Sequence, residues 1–227
     1  MTESLELPVL NERPSRRSQI IRALRAVLIA GQMRPGEIYS APVLAARFGV
    51  SATPVREAML ELVKEGLVLT VPNKGFRVRE LSDRELDEIC EIRMLLEVPT
   101  TVGAAAKVTR ADLRRLGAVA RRLVDAAGRK DLVSYLEHDR QFHLDLLSLA
   151  GNLQLVTLVG ELRSRSRLFG LQRLADTGEL TSSALEHVRM LELIEAGDMT
   201  ELERLMQRHI GHVRGSWAGR TEHAAPS

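Results

Sequence analysis

From Arg16 to Ala30 the apolar residues Ile20, Leu24, Val27 and Leu28 return at helical spacing, which predicts one amphipathic helix that stops at "GQMRPGE". A second, short helix fits "APVLAARFG", with Pro42 in its first turn and Gly49 able to end it in a left-handed conformation. A third is expected from about Thr53 to Lys64, because Ser51 can cap it, Pro54 suits the first turn and Glu65-Gly66 closes it. On that helix Leu60, Leu62 and Val63 are expected to face inward. The period then changes: "LVLTV" and "FRVRE" read as two short strands joined by the tight-turn residues "PNKG".

Three helices and a hairpin follow one another in the order of a winged helix-turn-helix, which residues 10–79 would form. Beyond Leu81 the strand signals vanish. Amphipathic helices are expected over residues 83–106, 109–127, 130–150, 153–172, 179–196 and 198–216, broken at "AAGRKD", "AGN", "ADTG" and "AGD". Pro99 should kink or interrupt the first of these, since it removes a backbone donor and crowds the preceding turn. The fold class is therefore mainly α, a winged helix followed by an all-α bundle over residues 83–215. The closing "GRTEHAAPS" reads as a loose tail.

Composition narrows the function classes. The chain has 227 residues with 44% hydrophobic content, enough to bury two modest cores. Its apolar runs are far too short to span a bilayer, and the acidic start "MTESLELPVLNERP" lacks the features of a signal peptide, so a cytoplasmic protein without membrane partners is expected. Cys90, the single cysteine, stands among Ile89, Ile92 and Leu95 and reads as a core residue. Charge is uneven: residues 10–79 carry 12 Lys and Arg against 5 Glu (+7), while residues 81–227 carry 20 basic against 22 acidic (−2). A basic head on a near-neutral body suggests a polyanion-binding module attached to a part with another task.

In a helix-turn-helix the second helix of the pair enters the major groove. Ser51 and Thr53 at its start can offer hydroxyls and backbone N–H groups to a phosphate, and Arg56 can present two donors to a guanine edge; the alternative for Arg56 is a structural ion pair. The stretches "GQMRPGE", "FGVSATPVREAMLELVKEGLV" and "PNKGFRV" closely resemble the DNA-binding domain of the GntR family of bacterial transcription regulators. The resemblance implies that Ser51, Thr53 and Arg56 contact a double-stranded operator and that Lys74 and Gly75 place the wing tip in the adjacent minor groove. Ala52 stands where the family usually has arginine, and "SAP" opens the second helix where a polar or basic residue is usual; both alter the operator contacts. A homodimer on a palindromic site follows from the few base pairs one recognition helix reads.

In the body, Leu132, Leu136, Asp139, His143, Leu146 and Ala150 follow steps of three and four, so Asp139 and His143 lie on an apolar stripe. His187 shares a face with Ala184, Leu191 and Ile194, and His209 with Leu202, Leu205, Met206 and Val213. Each histidine alone reads as a hydrogen-bonded core residue; together with Asp139 they suit a divalent metal ion, zinc or nickel first and iron(II) as well. His138 and His212 are less favoured, and His223 lies in the tail. The body is similar to the FadR-type ligand-binding domain called FCD, through "EIRMLLE", "HDRQFHLDLLSLAGN", Glu186-His187 and "RHI". That resemblance implies metal bound by Asp139, His143, His187 and His209 with a small carboxylate effector completing the coordination. Arg93 is the candidate for a second grip on the carboxylate, or a structural partner of Glu97. The "RSRSR" run, Arg163 to Arg167, offers further candidates but reads mostly as solvated face.

The leading function is a ligand-responsive DNA-binding regulator. The alternatives are a metal-dependent enzyme and a pure metal sensor using the same Asp/His site. Against the enzyme, the sequence has no His-Glu-x-x-His, nucleophile elbow or phosphate loop, and no spare carboxylate is evident beside the ligands.

Overall fold

The computed structural model describes residues 15–166 and 171–212. Helix α1 (Arg16–Ile29) leads through the two-residue strand β1 (Ile38–Tyr39) to α2 (Ala41–Phe48), α3 (Ala52–Lys64), and the strands β2 (Val68–Val71) and β3 (Gly75–Val78). The three strands form one antiparallel sheet in the order β1-β3-β2, with Tyr39 opposite Phe76 and Val71 opposite Gly75. Local sequence explains the joints. Ser40 caps α2 by accepting from the Val43 N–H, Pro42 sits in its first turn, and Gly49 at φ 64° ends it as expected. Leu24, Val55, Met59, Leu62 and Val68 are fully buried together and hold the head around one core. Truncating Leu62 to Ala there would cost about 2–5 kcal/mol.

The hairpin of the sequence reading is present, but β1 is an addition to it. Gly75 is what admits β1: its φ is 129°, and a Cβ built on it would lie 2.5 Å from the Tyr39 carbonyl oxygen. Leu60 departs from expectation. It is 44% exposed while Leu62 is buried and Val63 half-buried, because Leu60 lies on the opposite side of α3 from Val55, Met59 and Leu62.

The body is helical throughout its described residues: α4 (Asp83–Ala105), α5 (Arg110–Gly128), α6 (Leu132–Ser148), α7 (Leu153–Ser166), α8 (Leu171–Thr177), α9 (Glu179–Ala196) and α10 (Met199–Gly211). Capping boxes, Ser82 with Glu85 and Thr109 with Asp112, start α4 and α5, and Asp131 and Asp198 cap α6 and α10. Helix α4 runs through Pro99 without a break. Of the helix expected over 153–172, the described residues carry α7 through Ser166 and α8 from Leu171, and residues 167–170 lie outside the described residues. Val213, His223, the tail and the far end of the last expected helix lie outside the described residues. Cys90 is fully buried, in a cluster with Leu123, Leu171 and Ile29, so α1 contributes its last residue to the body's core as well as its inner face to the head's. No helix among the described residues is long and apolar enough to cross a membrane.

Head and body also meet through ion pairs. Arg22 Nη2 on α1 donates to Ser134 Oγ on α6 at 2.6 Å, and its guanidinium lies 3.8 Å from Asp131 and 3.9 Å from Glu137. Arg25 binds Glu65 at 2.5 Å and stands 3.8 Å from Glu137. Helix α6 thus docks the head along one side and, as shown next, carries metal-type ligands on another.

Candidate metal centre and nucleic-acid interface

Asp139 and His143, one turn apart on α6, meet His187 from α9 and His209 from α10, all four side chains at most 1% exposed. One ligand atom from each can be chosen so that all four lie within 4.8 Å of one another. His143 Nε2 is 3.0 Å from His187 Nε2 and 3.1 Å from His209 Nε2, and His187 Nε2 is 3.2 Å from Asp139 Oδ1.

Hydrogen bonds on the outer side orient two of the imidazoles. His187 Nδ1 lies 3.1 Å from the Ser183 carbonyl, which only accepts, so Nδ1 is the donor there and Nε2 is the atom turned to the cluster. His209 Nδ1 faces Glu186 Oε2 at 2.6 Å and is the donor there too. Burial, and next the Arg163 guanidinium, push the His143 pKa well below its ordinary 6.5, against the pull of Asp139, so His143 is neutral. Three imidazole nitrogens and a carboxylate oxygen then converge at close distance in a buried space. A divalent cation would fit these atoms: with metal–nitrogen bonds of about 2.0–2.1 Å, neighbouring ligand atoms would stand about 2.9–3.4 Å apart, as the three nearest pairs do. The carbonyl and carboxylate behind His187 and His209 are the outer partners that fix imidazole ligands in structures of this kind.

A chain of charge continues from the cluster. Asp139 Oδ2 accepts from Arg163 Nη2 at 3.0 Å, Arg163 Nη1 donates to Glu97 Oε2, and Glu97 Oε1 accepts from Arg93 Nε at 2.6 Å. Arg93, Glu97, Arg163 and Asp139 are all buried, two cations alternating with two anions. Burial would lower the Arg163 pKa, but Glu97 and Asp139 outweigh it and hold the guanidinium above its ordinary value. Among the described residues, Arg93 Nη2 and Arg163 Nε are buried without a hydrogen-bond partner.

On the head, Ser51 occupies the N-cap of α3 yet makes no side-chain cap bond, so its hydroxyl is available to solvent or a ligand. Thr53, Arg56 and Leu60 lie on one exposed face of α3, and Lys74 is exposed in the β2–β3 turn, where Asn73 takes φ 60°. Among the described residues no ion pair holds Arg56.

The sequence signature of the bacterial regulatory proteins of the gntR family matches residues 16–78, and that of the FCD domain matches residues 88–212. The chain belongs to the GntR family of bacterial transcriptional regulators, with an FCD domain. It is 30% identical over 185 residues to the Nta operon transcriptional regulator of Aminobacter aminovorans, covering 80% of this chain and 85% of that one. It is 29% identical over 198 residues to the HTH-type transcriptional regulator McbR of Escherichia coli K12, covering 85% and 90%. The solved structure of E. coli McbR/YncC superposes with a TM-score of 0.67 at 28% identity, over 88% of this chain and 97% of that one. These relatives are named as transcriptional regulators, and the chain is a DNA-binding regulator of their kind, not an enzyme.

Within this GntR-family chain the structure brings Asp139, His143, His187 and His209 together and attaches Arg93 to them through Glu97 and Arg163. His138 faces away from the cluster, and its pKa is lowered by burial and by Arg122. His212 stays outside, 28% exposed and 3.7 Å from Glu186. Two corrections concern the charged residues. Arg163 is not solvated face but a 1%-exposed partner of Asp139, and carboxylates do stand beside the ligands: Glu186 behind His209 and Glu97 behind Arg163. Both are already engaged by donors. The Arg93–Glu97 spacing of four on one helix was the available signal for Glu97; nothing in "RSRSR" singles out Arg163 from its neighbours.

Proposed function

We propose that this regulator senses a small carboxylate through a divalent metal ion, zinc or nickel, held by Asp139, His143, His187 and His209. The observation that carries the reading is the convergence of three imidazole Nε2 atoms and one carboxylate oxygen among fully buried side chains. A bound metal would supply a Lewis-acidic positive charge to which a carboxylate is drawn. The protein's own part is to neutralise and orient the effector. Arg93 Nη2, buried and unpartnered, is the donor available to a carboxylate that reaches this side of the cluster, while Glu97 fixes the rest of its guanidinium.

Occupancy reaches the head through α6, which carries Asp139 and His143 as well as Asp131, Ser134 and Glu137, the residues that dock Arg22 and Arg25 of α1. Effector binding that favours one placement of α6 thereby favours one placement of the head. The head acts as a homodimer on a palindromic operator. Thr53 and Arg56 read the major groove with Leu60 beside them for apolar contact, Ser51 binds a phosphate, and Lys74 with Gly75 sets the wing in the minor groove. Gel-shift titrations of the metal-loaded protein against a panel of small carboxylates test this. A carboxylate whose effect on operator affinity disappears in His143→Ala and in Arg93→Ala supports it. Operator affinity that follows metal alone and ignores every carboxylate makes the protein a metal sensor instead.

A further inference from the structure

Four consecutive residues at the C-terminal turn of α7 reach different parts of the molecule. Arg163 donates to Asp139 of the histidine cluster at 3.0 Å and to Glu97. Ser164 lines a cleft of about 410 Å³ between head and body. Arg165 lies against Gly66 of the head, and Ser166 accepts from Arg93 Nη1 at 3.3 Å. One helical turn thus joins a metal-type ligand, the arginine proposed to hold the effector, and the DNA-binding head.

The contact with the head is one of shape. Gly66 sits in the turn between α3 and β2 at φ 74°, a conformation that favours glycine. A Cβ built on it would stand 2.9 Å from Arg165 Cγ and 3.1 Å from Cδ, so the arginine stem fills the notch that the missing side chain leaves. The charge is not what holds it. Arg165 Nε is buried without a hydrogen-bond partner among the described residues, and burial, and next Arg79, lower its pKa against Glu85 and Glu161. Successive helical residues turn by about 100°, so Arg163 and Arg165 project about 200° apart, one to the cluster and the other to the head. Helix α1 seats the head on α6 through Arg22 and Arg25, and the cleft is lined from α1 and α3 as well as from α6 and α7. The head is therefore not packed on the body across its whole breadth.

We infer that Arg165 is a positioning residue that carries the state of the metal centre to the DNA-binding head along α7, beside the route along α6. Whatever moves Asp139 or Arg93 acts on Arg163 or Ser166, and the stem of Arg165 moves with the same turn against Gly66. A metal that fixes Asp139 holds that turn still and keeps the stem in its notch. The input rests on the metal-centre reading; the transmission through Arg165 does not.

Hydrogen exchange of the Gly66 and Leu67 amides, which bond the Val63 and Leu62 carbonyls, reads the head's seat in the full chain. Zinc is the probe, and calorimetry checks its binding. Zinc should slow exchange there about fivefold in the wild type, the low end of ordinary coupling between sites. Arg165→Ala should bind zinc equally well and lose that slowing, while Arg165→Met, which keeps the stem, should retain it. In the metal-free chain Asp139→Asn should speed exchange of the same amides, and Arg165→Ala should cancel that difference. Zinc that binds but slows Arg165→Ala as it slows the wild type, or slows neither, overturns the inference and leaves the metal centre standing. An Asp139→Asn effect that is absent, or that survives in Arg165→Ala, overturns it too. A wild type that binds no zinc, yet in which the Asp139→Asn effect needs Arg165, sinks the metal-centre reading and supports the transmission through Arg165.

Discussion

Replacing Arg163 by Met removes the guanidinium that bridges two buried carboxylates, Glu97 and Asp139. Arg163 is 1% exposed and donates to both Glu97 and Asp139. Methionine fills most of the volume, so cavity formation is a minor part of the cost. The electrostatic part is not: removing one partner of a buried ion pair costs about 3–5 kcal/mol, because both carboxylates lose a counter-charge that burial keeps close. For a chain of this length 1 kcal/mol corresponds to about 2–4 °C, so the expected fall in Tm is about 6–20 °C. Thermal unfolding followed by circular dichroism on metal-free protein measures it, with Arg204→Met as the comparison. Arg204 pairs with Glu201 at 3.7 Å while 66% exposed, and its loss should cost no more than about 1 kcal/mol. If Arg163→Met unfolds at the temperature of Arg204→Met, the buried four-charge chain is not a stabilising unit and its role in placing Asp139 fails.

Arg56→Ala should cost about 1–3 kcal/mol on the cognate operator and relax one base preference, whereas Lys74→Ala should weaken cognate and random DNA alike; gel shifts on both DNAs separate the two. Gly75→Ala should destabilise the head by on the order of 1–3 kcal/mol, because φ 129° is strained for alanine and the new Cβ meets the Tyr39 carbonyl, and chemical denaturation measures the loss. Metal-free protein should lose stability on acidification: the unfolded His143 takes up a proton near 6.5 while the folded one resists, so its contribution is complete above 6.5 and is lost as pH falls toward the depressed folded value. Urea midpoints across that interval, compared with His143→Gln, should show a pH slope in the wild type that the variant reduces.

The four metal-type ligands were legible because helical periodicity places ionisable groups on apolar stripes, and a buried aspartate one turn from a histidine requires a partner. Their outer partners were less legible. Glu186 lies next to His187 in sequence yet serves His209, a pairing that exists only once α9 and α10 are packed. Arg163 was hidden for a related reason: alternating arginines on a helix point to several sides, and the fixed carboxylates of α4 and α6 decide which one is drawn inward. Strand β1 carries two residues, too few for any period, and exists because Gly75 lets the chain approach β3 closely. Leu60 misled the inward assignment because an apolar residue on the exposed face of α3 breaks the stripe that local patterning assumes.

Elemental analysis of the purified chain after exposure to zinc and nickel and exhaustive dialysis tests the central claim most directly. Wild type and His212→Ala, whose side chain is 28% exposed and outside the cluster, should each retain about one metal ion per chain under the four-ligand arrangement argued above. Asp139→Ala, His143→Ala, His187→Ala and His209→Ala should each lose it. A metal-free wild type, or four ligand variants that keep their metal, would contradict the account and leave the histidine cluster as a purely structural core.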